Sequence, residues 1–390
     1  MTRIRSEWIT RPATQAVVNA LEAEGHHAFF VGGCVRNALM DAPVSDIDLA
    51  TDAVPEDVVR LAKAAGLTPV PTGFAHGTIT VVSDHIGYEV TTFRRDVETD
   101  GRRAVVAFST DIAADARRRD FTMNALYADR SGQVIDPLGH GLADLAQRRL
   151  RFIEDPLARI REDYLRILRF FRFSAWYGAA EHGPDPDALT AIARSLDGLE
   201  GLSAERVGSE MMKLLSAPDP APSVAVMAQT GVLAAVLPGA DARLLAPLVH
   251  LEGEHGLAPD PIRRLGALGG ADVAERWRLS RKATRRLGEM REAAGAPDGA
   301  AALGYRHGAG MAVDALTLRA ASTGTAMSET TVAEAEAGAT AVFPLKARDL
   351  GARFKGADIG ETLRRLETAW IASGFTLDRD TLLEKLPRSD

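Results

Sequence analysis

Residues 29–52 read FFVGGCVRNALMDAPVSDIDLATD. Phe29, Phe30 and Val31 form an apolar run of the right length for part of a buried strand. Gly32 and Gly33 let the backbone turn sharply and bring its N–H groups close to an anion. Residues 35–40 have the pattern of the first turns of a helix, whose N-terminus favours a phosphate. Arg36 would add a charge-assisted hydrogen bond. Asp46 and Asp48 stand two apart. With Ile47 and Leu49 turned into a core, both carboxylates fall on the other face of a strand. Two bare carboxylates held together are costly unless a cation lies between them. Hard oxygen ligands of this kind suit Mg²⁺ carried in with a triphosphate. A glycine turn and a solvated acidic loop is the plainer reading of either motif alone. The two together, ~13 residues apart and flanked by strand-like segments, favour phosphate and metal.

The totals set the frame. A chain of 390 residues is long for one core and predicts two or more domains. A net charge of -7 argues against a generally basic nucleic-acid coat, though not against a local basic groove. The single cysteine, Cys34, rules out an internal disulfide framework and fits a reducing, cytoplasmic compartment. No base stands beside it in sequence, so a small buried thiol is expected rather than a nucleophile. No stretch has the length and apolarity of a membrane span or a secretory signal, so no membrane partner is expected.

Outward from residues 29–52, the first third mixes strands and helices. Thr10 as cap, Pro12 early and Gly25 at the end predict an N-terminal helix. Residues 56–65 carry helical spacing and stop at Gly66. Residues 78–82 and 86–93 alternate as strands, with Glu89 opposite Tyr88 and Val90. Residues 94–103 are polar and read as a long mobile loop, residues 104–108 as a strand, residues 120–127 as mixed helical, and Val134 and Ile135 as a last short strand. Beyond residue 139 strand patterns all but vanish. Residues 162–176, 187–196, 204–215, 222–237 and 358–372 read as helices, with breaks at 217–222, 253–261 and 294–299. The expected fold class is α+β: residues 1–139 with a mixed sheet, a helical neck at 140–222, and a helical body and tail at 223–390. His250, Glu252, Glu254 and His255 have no metal-ligand spacing and read as a loop.

Residues 148–172 hold eight arginines, four acids and no lysine, the most basic segment of an acidic chain. On a helix, Glu162, Arg166 and Arg169 share a stripe, with Asp163 at one edge and Arg172 at the other. A solvated face with ion pairs worth ~0.2–0.5 kcal/mol each is the plain alternative. Against it, every cation is an arginine, whose planar fork suits bidentate recognition. An Asp163–Arg166 pair can read a base edge, accepting from an exocyclic amine and donating to the adjacent ring nitrogen. Adenine and cytosine share that order. Guanine and uracil place a carbonyl against the carboxylate and leave two acceptors opposed, which is costly.

Taken in order, these segments resemble the class II CCA-adding tRNA nucleotidyltransferase and poly(A) polymerase family. VGGCVR (31–36) with Asp46 and Asp48 is similar to its nucleotidyltransferase signature, and YEVTTFR (88–94) to the strand that follows. DARRRDFTMNA (115–125) is similar to its ribose-binding motif. Glu162, Asp163, Arg166, Arg169 and Arg172 resemble its base-templating helix, and LSAER (202–206) with Glu210 the motif that braces it. The matches run across residues 29–210. One departure is plain: the family usually has Asp where this chain has Asn37, which leaves the role of that side chain open.

The resemblance implies a nucleotidyltransferase head domain at 1–139, followed by a base-recognition neck and a body and tail that bind RNA. It implies Mg-dependent addition of CCA to the tRNA 3′ end from CTP and ATP. Asp46 and Asp48 would hold Mg²⁺, with Glu89 a third catalytic carboxylate or simply a solvent-facing strand residue. Gly32, Gly33 and Arg36 would orient phosphates. Arg118, Arg119 and Asp120 would hold ribose and phosphates, or form a surface charge cluster. Asp163, Arg166, Arg169 and Arg172 would bind the base. A poly(A) polymerase and a CC-only or A-only enzyme are the alternatives within the family; a silent RNA-binding protein and a small-molecule nucleotidyltransferase are those outside it. The C-terminal quarter lacks the basic tail expected of a poly(A) polymerase. Intact Asp46 and Asp48 speak against a silent protein, and the large helical body exceeds what a small acceptor needs.

Overall fold

The computed structural model describes residues 2–100, 103–179, 183–350, 354 and 356–386. Among the described residues nine strands are present: β1 (Ala28–Val31), β2 (Asp48–Thr51), β3 (Thr68–Gly73), β4 (Thr78–Ser83), β5 (Ile86–Thr92), β6 (Arg94–Asp100), β7 (Arg103–Phe108), β8 (Tyr127–Ala128) and β9 (Val134–Ile135). Seven of them form one sheet in the order β3-β4-β5-β2-β1-β8-β9. Only β2 and β5 pair in parallel, and their register sets Asp48 against Glu89. Cross-strand partners share a face, so this pairing brings two carboxylates together. The core side takes Phe30, Leu49, Tyr88 and Val90, all fully buried.

Two local expectations change. Residues 94–100, read as part of a loop, are a strand. β6 pairs with β7 from Arg94 opposite Phe108 to Asp100 opposite Arg103, forming a separate two-stranded sheet. Its polar sequence carries little alternation, and the order comes from backbone pairing with β7. Gly101 and Arg102 lie outside the described residues. At the N-terminus the helix runs Pro12–Glu22 with Arg11 as cap residue, while the Thr10 hydroxyl donates to the Glu7 carbonyl instead.

The arginine-rich segment is not one helix either. It forms Pro156–Glu162 and Leu165–Tyr177, broken at Asp163, whose backbone is extended (φ -155°, ψ 106°). Asp163 Oδ1 accepts from the Leu165 N–H at 3.1 Å, a local bond that competes with helix continuation. The second helix docks through aromatic packing. The Phe121 ring lies 4.9 Å from Phe152 and 5.3 Å from Phe173, and Phe152 lies 5.7 Å from Phe170. All four are buried, each contributing roughly 1.5–3 kcal/mol.

The chain divides into two compact units: residues 1–214 with 229–236, and residues 215–228 with 237–390. The first holds the sheet and the helices through residue 214. The second is helical. The segment read as a helix over 222–237 is two, Ala221–Gln229 and Val232–Val236, parted at Gly231 (φ 82°). The His250–His255 motif is not a loop: helix Leu245–Glu254 carries all of it but His255, which caps the helix, and buried Glu252 accepts from Arg263 and Arg264, both at 2.9 Å. A buried pair of this kind fixes how helices meet. A Cβ at Gly304 would collide with the Ala335 carbonyl and one at Gly338 with the Ala301 carbonyl, so the two helices there touch backbone to backbone. Trp370, Leu366, Leu345 and Leu382 make the last core. Among the described residues no helix is long and apolar enough to cross a membrane.

Candidate active site

β1 ends at Val31, and Gly32 takes φ 72° and ψ -119°, a backbone that a side chain would strain. The helix Gly33–Leu39 follows at once. A Cβ on Gly32 would lie 3.5 Å from Arg119 Nη1, so a guanidinium lies against the glycine turn. Cys34 is buried and donates to the Val31 and Asp48 carbonyls. Burial pushes its thiol up to about 11, which makes it a packing residue and no nucleophile.

The three carboxylates are held differently. Asp48 opens β2 and is fixed by the sheet. Glu89, exposed on β5, is its register partner. Asp46 lies before the strand, exposed, and accepts from the Ser45 hydroxyl at 2.8 Å. Burial, then the like charges of Glu89 and Asp46, push the Asp48 carboxyl up to about 6, with Arg119 opposing. Such a set suits a divalent cation, which would relieve the repulsion. Among the described residues no three His, Cys, Asp or Glu side chains gather tightly enough to hold a metal alone. A cation here would take two protein carboxylates and complete its shell from phosphate and water, the usual habit of Mg²⁺.

Residues 115–124 form the hinge of the site. Asp115, a buried residue outside the expected set, takes Arg118 Nε at 2.7 Å, Arg119 Nη2 at 2.9 Å and the Tyr127 hydroxyl at 2.7 Å. Burial alone would raise its pKa; Arg119, Arg118 and Tyr127 outweigh burial and hold it down at about 2. Its spacing to Arg118 and Arg119 (i,i+3 and i,i+4) was a readable signal. Asp120 is buried, accepting from the Phe121 N–H and Asn124 Nδ2, both at 2.9 Å, and from Arg169 Nε at 2.7 Å. Burial is again outweighed, chiefly by Arg169, and its carboxyl is held at about 2. In this structure Asp120 therefore grips the neck helix. The Arg118 carbonyl accepts from Arg159 Nη2 at 2.8 Å and Arg166 Nη2 at 3.0 Å. Residues 118–120 thus contact the arginine helix on one side and, through Arg119, the glycine turn on the other.

Arg159, Arg166, Arg169 and Arg172 of helices Pro156–Glu162 and Leu165–Tyr177 are all paired with carboxylates of the protein. Arg166 also donates to Glu162 and the Arg159 carbonyl, and Arg159 to Glu162 at 2.7 Å. Arg172 Nε donates to Glu210 at 2.6 Å, and Arg169 lies 4.0 Å from the same carboxylate. Asp163 Oδ2 takes Arg206 at 2.6 Å. That pair is about a third exposed on each side, so it is worth at most ~1 kcal/mol and yields easily to a ligand. Arg36 is 6% exposed. Its guanidinium donates to Asn124 Oδ1 (2.6 Å), the Tyr177 hydroxyl (2.8 Å) and Asn37 Oδ1 (2.8 Å), and stacks 4.0 Å from the Tyr177 ring. No sequence signal pointed to Tyr177, which lies 141 residues from Arg36.

Comparison with known proteins gives first a class. Residues 28–151 match the family described as "Poly A polymerase head domain" and residues 184–244 that described as "Probable RNA and SrmB-binding site of polymerase A". The chain is 38% identical over 221 residues to the CCA-adding enzyme of Anoxybacillus flavithermus, covering 56% of this chain and 54% of that one. It is 42% identical over 196 residues to the human mitochondrial CCA tRNA nucleotidyltransferase 1, covering 49% and 44%. The matched stretch thus spans about half the length of these curated relatives. The crystal structure of the Bacillus stearothermophilus CCA-adding enzyme in complex with CTP superposes with a TM-score of 0.70 at 28% identity, over 93% of this chain and 94% of that one. In these stretches and in its fold the chain is similar to the CCA-adding tRNA nucleotidyltransferase and poly(A) polymerase family.

Proposed function

We propose that this protein adds CCA to the 3′ end of tRNA, without a nucleic-acid template, from CTP and ATP. The observation that carries the reading is the linkage in one unit of two half-sites. Asp48, beside Glu89 and Asp46, feels the charge of Arg119, and residues 118–120 bond to Arg166 and Arg169. Relatives named as CCA-adding enzymes, one of them in complex with CTP, support it.

Asp46 and Asp48 would hold Mg²⁺, which, when bound, supplies a more acidic 3′ hydroxyl and neutralises the leaving pyrophosphate. Gly32, Gly33 and Arg119 line the turn where the triphosphate would lie. Arg36 acts on phosphate only at a distance, since its guanidinium is committed to Asn124, Asn37 and Tyr177. Asp163 would accept from the amine of adenine or cytosine once Arg206 gives way, with Arg166 donating beside it. Arg169 and Arg172 hold the helix in place through Asp120 and Glu210. We assign residues 1–139 as the catalytic head, 140–222 as the neck, and 223–390 as the body and tail that hold the tRNA, in a cytoplasmic enzyme.

The test is an incorporation assay with tRNA lacking its 3′ end, each NTP singly and together, and Mg²⁺. Two C followed by one A supports the reading. Open-ended A tailing identifies a poly(A) polymerase, two C alone or one A alone a partial enzyme, and no incorporation a silent protein.

A further inference from the structure

Asp46 and Asp48 must stand a fixed distance apart to share a cation, yet only Asp48 is in the sheet. Asp46 lies near the end of a loop, residues 40–47, which is anchored at its far end by buried Ile47. Asp41, Pro43, Ser45 and Asp46 are exposed. Asp41, Ala42 and Val44 line an open cavity of about 430 Å³, with Trp8 and Arg11 also on its wall. Hydrogen bonds hold the stretch before Ile47, and three of them involve Asn37. The Asn37 carbonyl accepts from the Ala42 N–H at 2.9 Å. Its side-chain Nδ2 donates to the Pro43 carbonyl at 2.8 Å. Its Oδ1 accepts from Arg36 Nε at 3.1 Å and Nη2 at 2.8 Å. An arginine can only donate and a carbonyl can only accept, so the amide has one possible orientation. Arg36 is in turn fixed by Asn124 and Tyr177.

We propose that Asn37 is a positioning residue for the metal pair: its amide ties buried Arg36 to the Pro43 carbonyl and so sets Asp46 against Asp48. An aspartate at this position would keep the Arg36 contact and lose the donor to Pro43, placing acceptor against acceptor. The asparagine is thus matched to this loop. The inference rests on Asp46 and Asp48 as metal ligands.

The test compares the full chain with Asn37→Asp, Asn37→Ala and Asp46→Ala. Mn²⁺ binding is followed by the loss of the free-ion electron paramagnetic resonance signal, with CTP present and no RNA. Asn37→Asp retains an ion pair with Arg36 and so keeps the fold. It should weaken Mn²⁺ about three- to tenfold, the worth of one net hydrogen bond. Asn37→Ala should weaken it at least as much. The Mg²⁺ concentration for half-maximal transfer should rise by the same factor, with the KM for CTP at saturating Mg²⁺ unchanged. Wild-type Mn²⁺ affinity in Asn37→Asp overturns the inference. Equal Mn²⁺ binding by the wild type and Asp46→Ala overturns the metal assignment itself, a separate result.

Discussion

The two halves of the site handle charge in opposite ways. At the sheet, Glu89 and, just before β2, Asp46 act on Asp48 with Arg119 in opposition, and the Asp48 carboxyl is pushed up to about 6. Between residues 115 and 210, by contrast, Asp115, Asp120, Glu162 and Glu210 each have an arginine partner within the same unit. The sheet carboxylates are arranged for something that arrives with charge. Most neck arginines are spent on holding a helix at the right place. Under the proposed function, the working residues are those where compensation is incomplete: the carboxylate cluster, and Asp163, whose pairing with Arg206 is weak because it is exposed.

The largest expected effect tests the unpaired half. Asp46→Ala or Asp48→Ala should lower transfer on the order of a thousandfold or more, with the melting temperature unchanged. Near-normal turnover in either variant would remove the metal role. The paired half should break as structure does. Asp120→Ala leaves Arg169 without its main partner, and a broken buried pair costs about 3–5 kcal/mol. Chemical denaturation should show that loss; a stability within 1 kcal/mol of wild type, taken as roughly the scale of an exposed pair, would show that Asp120 is free for ligand. Asp163→Ala comes next, raising misincorporation of UTP and GTP about ten- to a hundredfold while changing triphosphate affinity less. Unchanged discrimination would end its base-reading role. Arg206→Ala should be small, altering base choice by no more than about fivefold and stability by at most ~1 kcal/mol.

Acid titration sharpens the same contrast. Asp115 and Asp120 are both held down at about 2, below the ordinary unfolded value near 3.9. Their stabilisation is present above that unfolded value and is lost as pH falls through the folded one. Melting temperatures should therefore decline from about pH 4 towards pH 2, and less steeply in Asp120→Asn. A variant that tracks the wild type throughout would mean Asp120 contributes no linkage.

Where sequence reading succeeded, the signal was local. Alternation in residues 78–93 gave β4 and β5, and glycine placement gave the turn at Gly32. Asp115 at helical spacing from Arg118 and Arg119 could have been read the same way. Where it failed, the deciding partner was remote or the local signal ambiguous. β6 is polar and becomes a strand only by pairing with β7. The helix break at Asp163 is fixed by a bond to the Leu165 N–H that periodicity does not register. Within the HLEGEH motif, His250 to Glu254 are helical, and the helix is held by Glu252, buried against two arginines further along the chain.

By itself the sequence determined the order of elements, the glycine turn, the carboxylate pair and the arginine segment. These follow from backbone geometry within a few residues, where side-chain direction repeats with a period of two or 3.6. Only the tertiary structure decided which charges are free. An arginine is a phosphate ligand or an anchor according to what lies beside it, and Asn124, Tyr177 and Asp120 reach Arg36 and Arg169 across 49 to 141 residues. Such partners are chosen by packing of the folded chain, because burial makes an unpaired charge costly whatever its neighbours in sequence.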